Sequence, residues 1–227
     1  MTWQATLTAL AALLLAALLL RRIIREREAN ARAPREFFEP VLPLMDNARI
    51  AASDSPGNFK LDGDYKGFPV QVQAITDTLA LRRLPALWLL VTLPSPLPLR
   101  AKFDMMMRPA GQTTFSNFDL LLETIGRPPG FPEESIVKSD NATEALPAHV
   151  VVPHLNLFDG RRAKELLIAP NGLRIVWLLA EADRARYGVF RQADFGGVTL
   201  GPDLLSDLLD RLIMLRQSIL DWHQETS

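Results

Sequence analysis

The feature that most constrains this chain is an uncharged run from Thr2 to Leu20, built largely from Ala and Leu, which stops abruptly at Arg21-Arg22. At about 1.5 Å per residue such a helix spans roughly 28 Å, close to the ~30 Å hydrocarbon core of a bilayer. Ile23 and Ile24 prolong the apolar face while Arg21 and Arg22 can snorkel outward. No Lys or Arg precedes the run, and basic residues follow it where a signal peptide would carry small residues for cleavage. The run therefore reads as a retained signal-anchor contacting the lipid bilayer through residues 2–24. Arg21, Arg22, Arg25, Arg27, Arg32 and Arg35 all lie on its C-terminal side. Positive-inside bias then predicts a single-pass protein of the bacterial inner (cytoplasmic) membrane, N-terminus outside and C-terminal domain cytoplasmic. Ala5, Ala9, Ala12 and Ala16 recur at a spacing that permits helix self-association, though Ala is common in such spans anyway.

The domain division follows from this: an anchor and juxtamembrane helix over 1–33, then a soluble domain over 34–227. Pro34 ends or kinks the first helix. The proline-punctuated stretch Phe37 to Met45 either lies among lipid headgroups or packs under the domain, and domain packing is the expectation. Ser53 to Asn58 is a loop by composition. Phe59–Tyr65 and Phe68–Ile75 flank Lys66-Gly67 and read as a hairpin. Leu87 to Leu93 is apolar on both faces, the pattern of a central strand. A strand within Leu99–Arg108 follows, then Glu165–Ala169 and Leu173–Leu179 around an Asn171-Gly172 turn, with Tyr187–Phe195 as a further strand candidate. From Asp203 to Trp222, Leu205, Leu208, Leu209, Leu212, Leu215, Ile219 and Trp222 recur on one face of a helix, with Pro202 suited to its first turn. Strands followed by a helix give an α+β order: an N-terminal transmembrane helix, then an antiparallel-sheet domain packed by helices, including a C-terminal amphipathic one.

The chemistry is sparse. There is no cysteine, which removes disulfides, thiolate catalysis and Cys-based metal sites. A net charge of −1 supplies no basic field for nucleic acid. His149 and His154 are off the spacing of a helical metal pair, and His223 sits in the C-terminal turn, expected to be solvated. Asp62-Gly63-Asp64 begins like a calcium loop but meets Gln73 where the closing Glu belongs. Ser116 has no nucleophile elbow, and Asp119 suits a helix cap. Met105-Met106-Met107 offers soft ligands, yet consecutive strand residues face opposite ways, so core filling is expected. No catalytic, cofactor-binding or metal site is assigned. The remaining cluster is Arg161, Arg162, Arg174, Arg184, Arg186 and Arg191. Converging guanidiniums could hold a carboxylate, phosphate or lipid headgroup, and dispersed ones would form surface ion pairs.

The stretches Asp77-Thr78-Leu79, Leu84 to Val91, Glu165 to Ile168, Gly172 to Arg174, Glu181 to Arg184 and Arg186-Tyr187 resemble uncharacterised proteobacterial proteins with one N-terminal span and an α+β domain. That family implies no activity and no site residue, only a bacterial inner-membrane setting. The sequence thus points to a non-enzymatic membrane-anchored interaction or scaffolding module, binding another protein or itself. The alternative is anion or lipid-headgroup binding through the arginines. An active site scattered along the chain would leave no local motif.

Overall fold

The computed structural model describes residues 3, 20–21, 33–52, 58–77, 84–109, 111, 113–182 and 195–226. Within them, nine strands form one sheet: β1 (Asp46–Ala52), β2 (Phe59–Tyr65), β3 (Phe68–Asp77), β4 (Ala86–Leu93), β5 (Phe103–Met107), β6 (Glu123–Gly126), β7 (Ser135–Ser139), β8 (Ala163–Ala169) and β9 (Gly172–Glu181). Their order across the sheet is β1-β2-β3-β4-β9-β8-β5-β7-β6, and every neighbouring pair is antiparallel. The hairpin β8–β9 is therefore inserted between β4 and β5, strands that are consecutive in sequence.

Local chemistry accounts for the turns. Lys66 and Gly67 take φ of 51° and 81°, the paired positive values of a two-residue hairpin whose twist matches its strands. β4 carries Leu87, Leu89, Val91 and Leu93 on one face and Leu90 on the other, all buried, as the expected central strand requires. The three methionines of β5 are buried too, Met105 and Met107 on one face and Met106 on the other. They fill core.

One face of the sheet is covered by helix. After α1 (Ala148–Val151) and a 3-10 stretch from Val152 to Asp159, the chain ends in α2 (Pro202–Thr226). Leu205, Leu208, Leu209, Leu212, Leu215 and Ile219 are its buried residues, the stripe expected from periodicity, and Trp222 lies half-buried at its end. Each such side chain contributes about 1.5–3 kcal/mol by leaving water. α2 packs on β4 and β9 and on the 3-10 turn Glu39–Leu44. Phe37, Phe38, Val41 and Met45 join that core, so the proline-rich stretch packs under the domain. Leu200 N donates to the Phe37 carbonyl at 3.0 Å, tying the entry of the domain to the start of α2. Further along α2, Ser218 Oγ lies 3.0 Å from His154 Nε2 in a part-buried contact. Replacing Ser218 by Ala should cost about 1 kcal/mol in urea unfolding, the net worth of one such bond; an unchanged midpoint would show that the contact contributes nothing.

Several expectations are corrected. Among the described residues no helix is long and apolar enough to cross a membrane. The Thr2–Leu20 run lies almost wholly outside those residues, so the described structure gives no support to the transmembrane helix. The single-pass inner-membrane placement, with its N-terminus-outside, cytoplasmic-domain orientation, rested on that helix and is withdrawn with it. In place of a sheet packed by several helices, the described fold is mostly a nine-stranded antiparallel sheet with one long C-terminal helix. β1, β6 and β7 were not anticipated, because their sequences lack a clear apolar alternation. Tyr187–Phe195 lies outside the described residues apart from Phe195, as do residues 53–57 of the expected loop. Asp119 falls inside the 3-10 turn Phe118–Leu120, with Asn117 in the cap position. His223 belongs to α2 and is half-buried rather than solvated.

Candidate functional site

The face of the sheet turned away from α2 is unlike the first. Strand register places Asp62, Gln71, Thr92, Arg174, Leu167, Asp104 and Lys138 side by side in one row across β2, β3, β4, β9, β8, β5 and β7. Because side chains alternate along each strand, all seven lie on the same face. The next row on that face runs Lys60, Gln73, Leu90, Val176, Glu165, Met106 and Ile136. Polar residues thus occupy the β2–β3 side, and a small apolar patch occupies the middle.

The segment following β5 covers that patch. Phe115 and Phe118 pack with Leu90, Met106 and Val176, and the Phe115 ring lies 4.8 Å from that of Trp88. Lys138 Nζ stands 4.8 Å over the Phe118 ring. Two carboxyl groups lie in this region, Asp104 at 2% exposure and Glu165 at 1%. Among the described residues, Asp104 Oδ1 and Glu165 Oε2 have no hydrogen-bond partner. Burial is the main cause that pushes Asp104 up to about 8; Glu165 adds to the rise, and Arg174, Lys138 and Lys102 oppose it. Burial likewise pushes Glu165 up to about 7, against a hydrogen bond from Ser116 and the charges of Arg174 and Lys164. Near neutral pH Asp104 keeps its proton and Glu165 is partly protonated.

Beside the covered patch the face opens into a cavity of about 270 Å³ whose lining includes Gln71, Gln73, Thr92, Leu167, Asn171 and Arg174. Gln71 Nε2 donates to Asp62 Oδ1 at 2.9 Å, and Lys60 Nζ stands 3.2 Å from Asp62 Oδ2. Arg174 has no ion pair among the described residues, and its Nε is buried without a partner. A larger cavity, about 580 Å³, lies between the β5–β7 end and the 3-10 stretch after α1, where Arg108 bonds Glu134 at 2.7 Å.

Of the arginines singled out in the sequence, the three that are described lie in different places. Arg174 lines the smaller cavity and Arg161 the larger. Arg162 Nη1 donates to the carbonyls of Leu178 and Leu179 at 3.4 and 3.1 Å, on the edge of β9. Arg184, Arg186 and Arg191 lie outside the described residues. Among the described residues, no group of three or more His, Asp or Glu could hold a metal ion.

A second feature lies at the sheet margin. Leu120 and Leu122 are 70% and 91% exposed, and they lead directly into β6, which lies at one margin of the described sheet opposite β1. Leu120 closes the 3-10 turn, Leu121 is extended, and Leu122 immediately precedes β6. A register shift between Thr124 and Gly126 interrupts the β6–β7 ladder, and Gly126 has φ 86°.

Sequence reasoning missed Asp104 and Glu165. A signal existed: Asp104 is the lone polar residue of Phe103–Met107, and Glu165 is the lone acid of a strand whose remaining residues, apart from Lys164, are apolar. It also missed the leucine pair, because β6 was unrecognised.

No protein-family model and no curated protein matches the chain. A solved structure, that of the mycobacterial trehalose monomycolate transport factor A, is similar at 10% identity, with 82% of this chain and 94% of that one covered and a TM-score of 0.47.

Proposed function

We propose that this chain is a non-enzymatic interaction or scaffolding module that takes an extended segment of a protein partner along β6. The carrying observation is the pair of leucines, 70% and 91% exposed, at the mouth of a strand at one margin of the described sheet. Fully covering one leucine side chain is worth about 1.5–3 kcal/mol, so two in water on an open edge form a ready contact. The free backbone edge of a strand supplies hydrogen bonds to an added strand, and alternate side chains supply selectivity. The occupant is therefore an extended stretch with apolar side chains at every second position. A bulge turns a strand aside, which confines the docking stretch to the Leu120–Thr124 side of Gly126.

A photo-reactive residue at position 122 tests this in cells, with the same probe at Met214, which is 54% exposed on α2, as the reference. A discrete adduct with a second protein is expected at 122 and not at 214, and Leu120→Asp should abolish it. Equal labelling at both positions, or no adduct at 122, would sink the proposal. An adduct of the chain with itself would replace the partner by a second copy.

A further inference from the structure

We propose that the cavity at Arg174 is a binding site for a small anion, a carboxylate or a phosphate monoester, gripped by the Arg174 guanidinium and the polar side chains of Gln71, Gln73, Thr92 and Asn171.

Charge comes first. Arg174 sits on a central strand, half-buried, with no ion pair among the described residues and with a buried Nε lacking any partner. A guanidinium has five donors in a planar fork that matches a carboxylate or phosphate, and leaving one buried and unmatched is costly. Across the sheet, Asp104 stands two strands from Arg174, beyond Leu167, at about 10 Å. Glu165 faces Val176, a diagonal step of roughly 7–8 Å from Arg174. Both acids are pushed up toward or beyond neutral pH by burial, so they leave much of the guanidinium charge uncompensated. On the other side, Asp62 is three strands away and already held by Gln71 and Lys60.

Shape and donors agree with charge. About 270 Å³ suits a small head group rather than a large cofactor. Amides and a hydroxyl sit at neighbouring positions of the row, and Pro94, Leu167 and Ala169 give one apolar wall for a short carbon stem. Of the arginines singled out in the sequence, Arg174 lines this cavity among the described residues.

The full chain should be titrated with inorganic phosphate and with succinate at constant ionic strength, following the Arg174 Nε–H resonance and the thermal midpoint. Saturable binding with a shift of that resonance is expected. Arg174→Gln should weaken it roughly 10-fold or more, and Arg174→Lys, which keeps the charge and loses the fork, by several-fold. Arg161→Gln, in the other cavity, should leave binding unchanged. Phosphatidylglycerol vesicles, set against phosphatidylcholine vesicles, distinguish a lipid head group from a free anion: lipid binding at this site must be competed by phosphate. Equal binding by wild type and Arg174→Gln overturns the proposal. So does a titration of the wild type that leaves the Nε–H resonance in place, a result that does not depend on any variant folding.

Discussion

Raising the pH from about 5 to about 9 should destabilise this fold by roughly 3–6 kcal/mol through Asp104 and Glu165 alone. Both carboxyls bind their protons more tightly folded than unfolded, because burial disfavours the charged form. Below about pH 4 both states hold the protons and the pair has no effect. Between there and about 7 for Glu165, or about 8 for Asp104, the unfolded chain has released a proton that the folded chain keeps. Stability then falls by up to ~1.4 kcal/mol per pH unit for each group, and the loss is complete above the folded values. The two acids interact, so their summed effect is smaller than two independent titrations would give. Urea unfolding across this range for wild type and the Asp104→Asn/Glu165→Gln double variant isolates the pair from every other carboxylate. The variant should lose most of the downward slope. Parallel curves would mean the carboxyls are ionised in the fold.

Gly172→Ala should cost at least ~3 kcal/mol, against about 1 for Gly67→Ala. Both glycines have positive φ, 144° and 81°. They differ in their surroundings: a Cβ at Gly67 meets nothing within 4 Å, whereas one at Gly172 collides with the Leu93 carbonyl oxygen and stands 3.0 Å from Pro94 Cα. Those are backbone atoms at the end of β4, which cannot swing aside as a side chain could. The glycine is what allows the β8–β9 turn to press against the neighbouring strand. Equal midpoints for the two variants in urea would show that φ, not space, dominates.

Elements with strong local periodicity were legible in the sequence. The buried stripe of α2, the Lys66-Gly67 hairpin, the two-faced apolar pattern of β4 and the β8–β9 turn needed nothing beyond neighbouring residues. β1 and β6 were illegible for a physical reason: edge strands have little to bury, and Asp46-Asn47-Ala48-Arg49 or Glu123-Thr124 carries no apolar alternation. β7 alternates only as Ser135-Ile136-Val137-Lys138-Ser139, with Ser135, Val137 and Ser139 buried, so its inner positions are mostly polar. The candidate site was less legible still. Gln71, Thr92, Arg174 and Asp104 are far apart in the chain and become neighbours only through register, which no local spacing encodes. Arg174 was singled out for charge, while its setting beside the buried Asp104 and Glu165 follows only from register.

The insertion of the β8–β9 hairpin between β4 and β5 sets the order in which the sheet can be completed. Leu93 pairs with Leu173 and Ala86 with Glu181, contacts of large sequence separation whose loop closure precedes any reward. As the chain leaves the ribosome, the β1–β4 meander can form early, but its inner margin, the apolar strand β4, waits for residues 172–181 before it is sealed. Until then β4 is an open edge with two hydrophobic faces, the kind of template on which nascent chains pair wrongly with one another. The centre of the finished sheet is thus the most exposed part of the unfinished one.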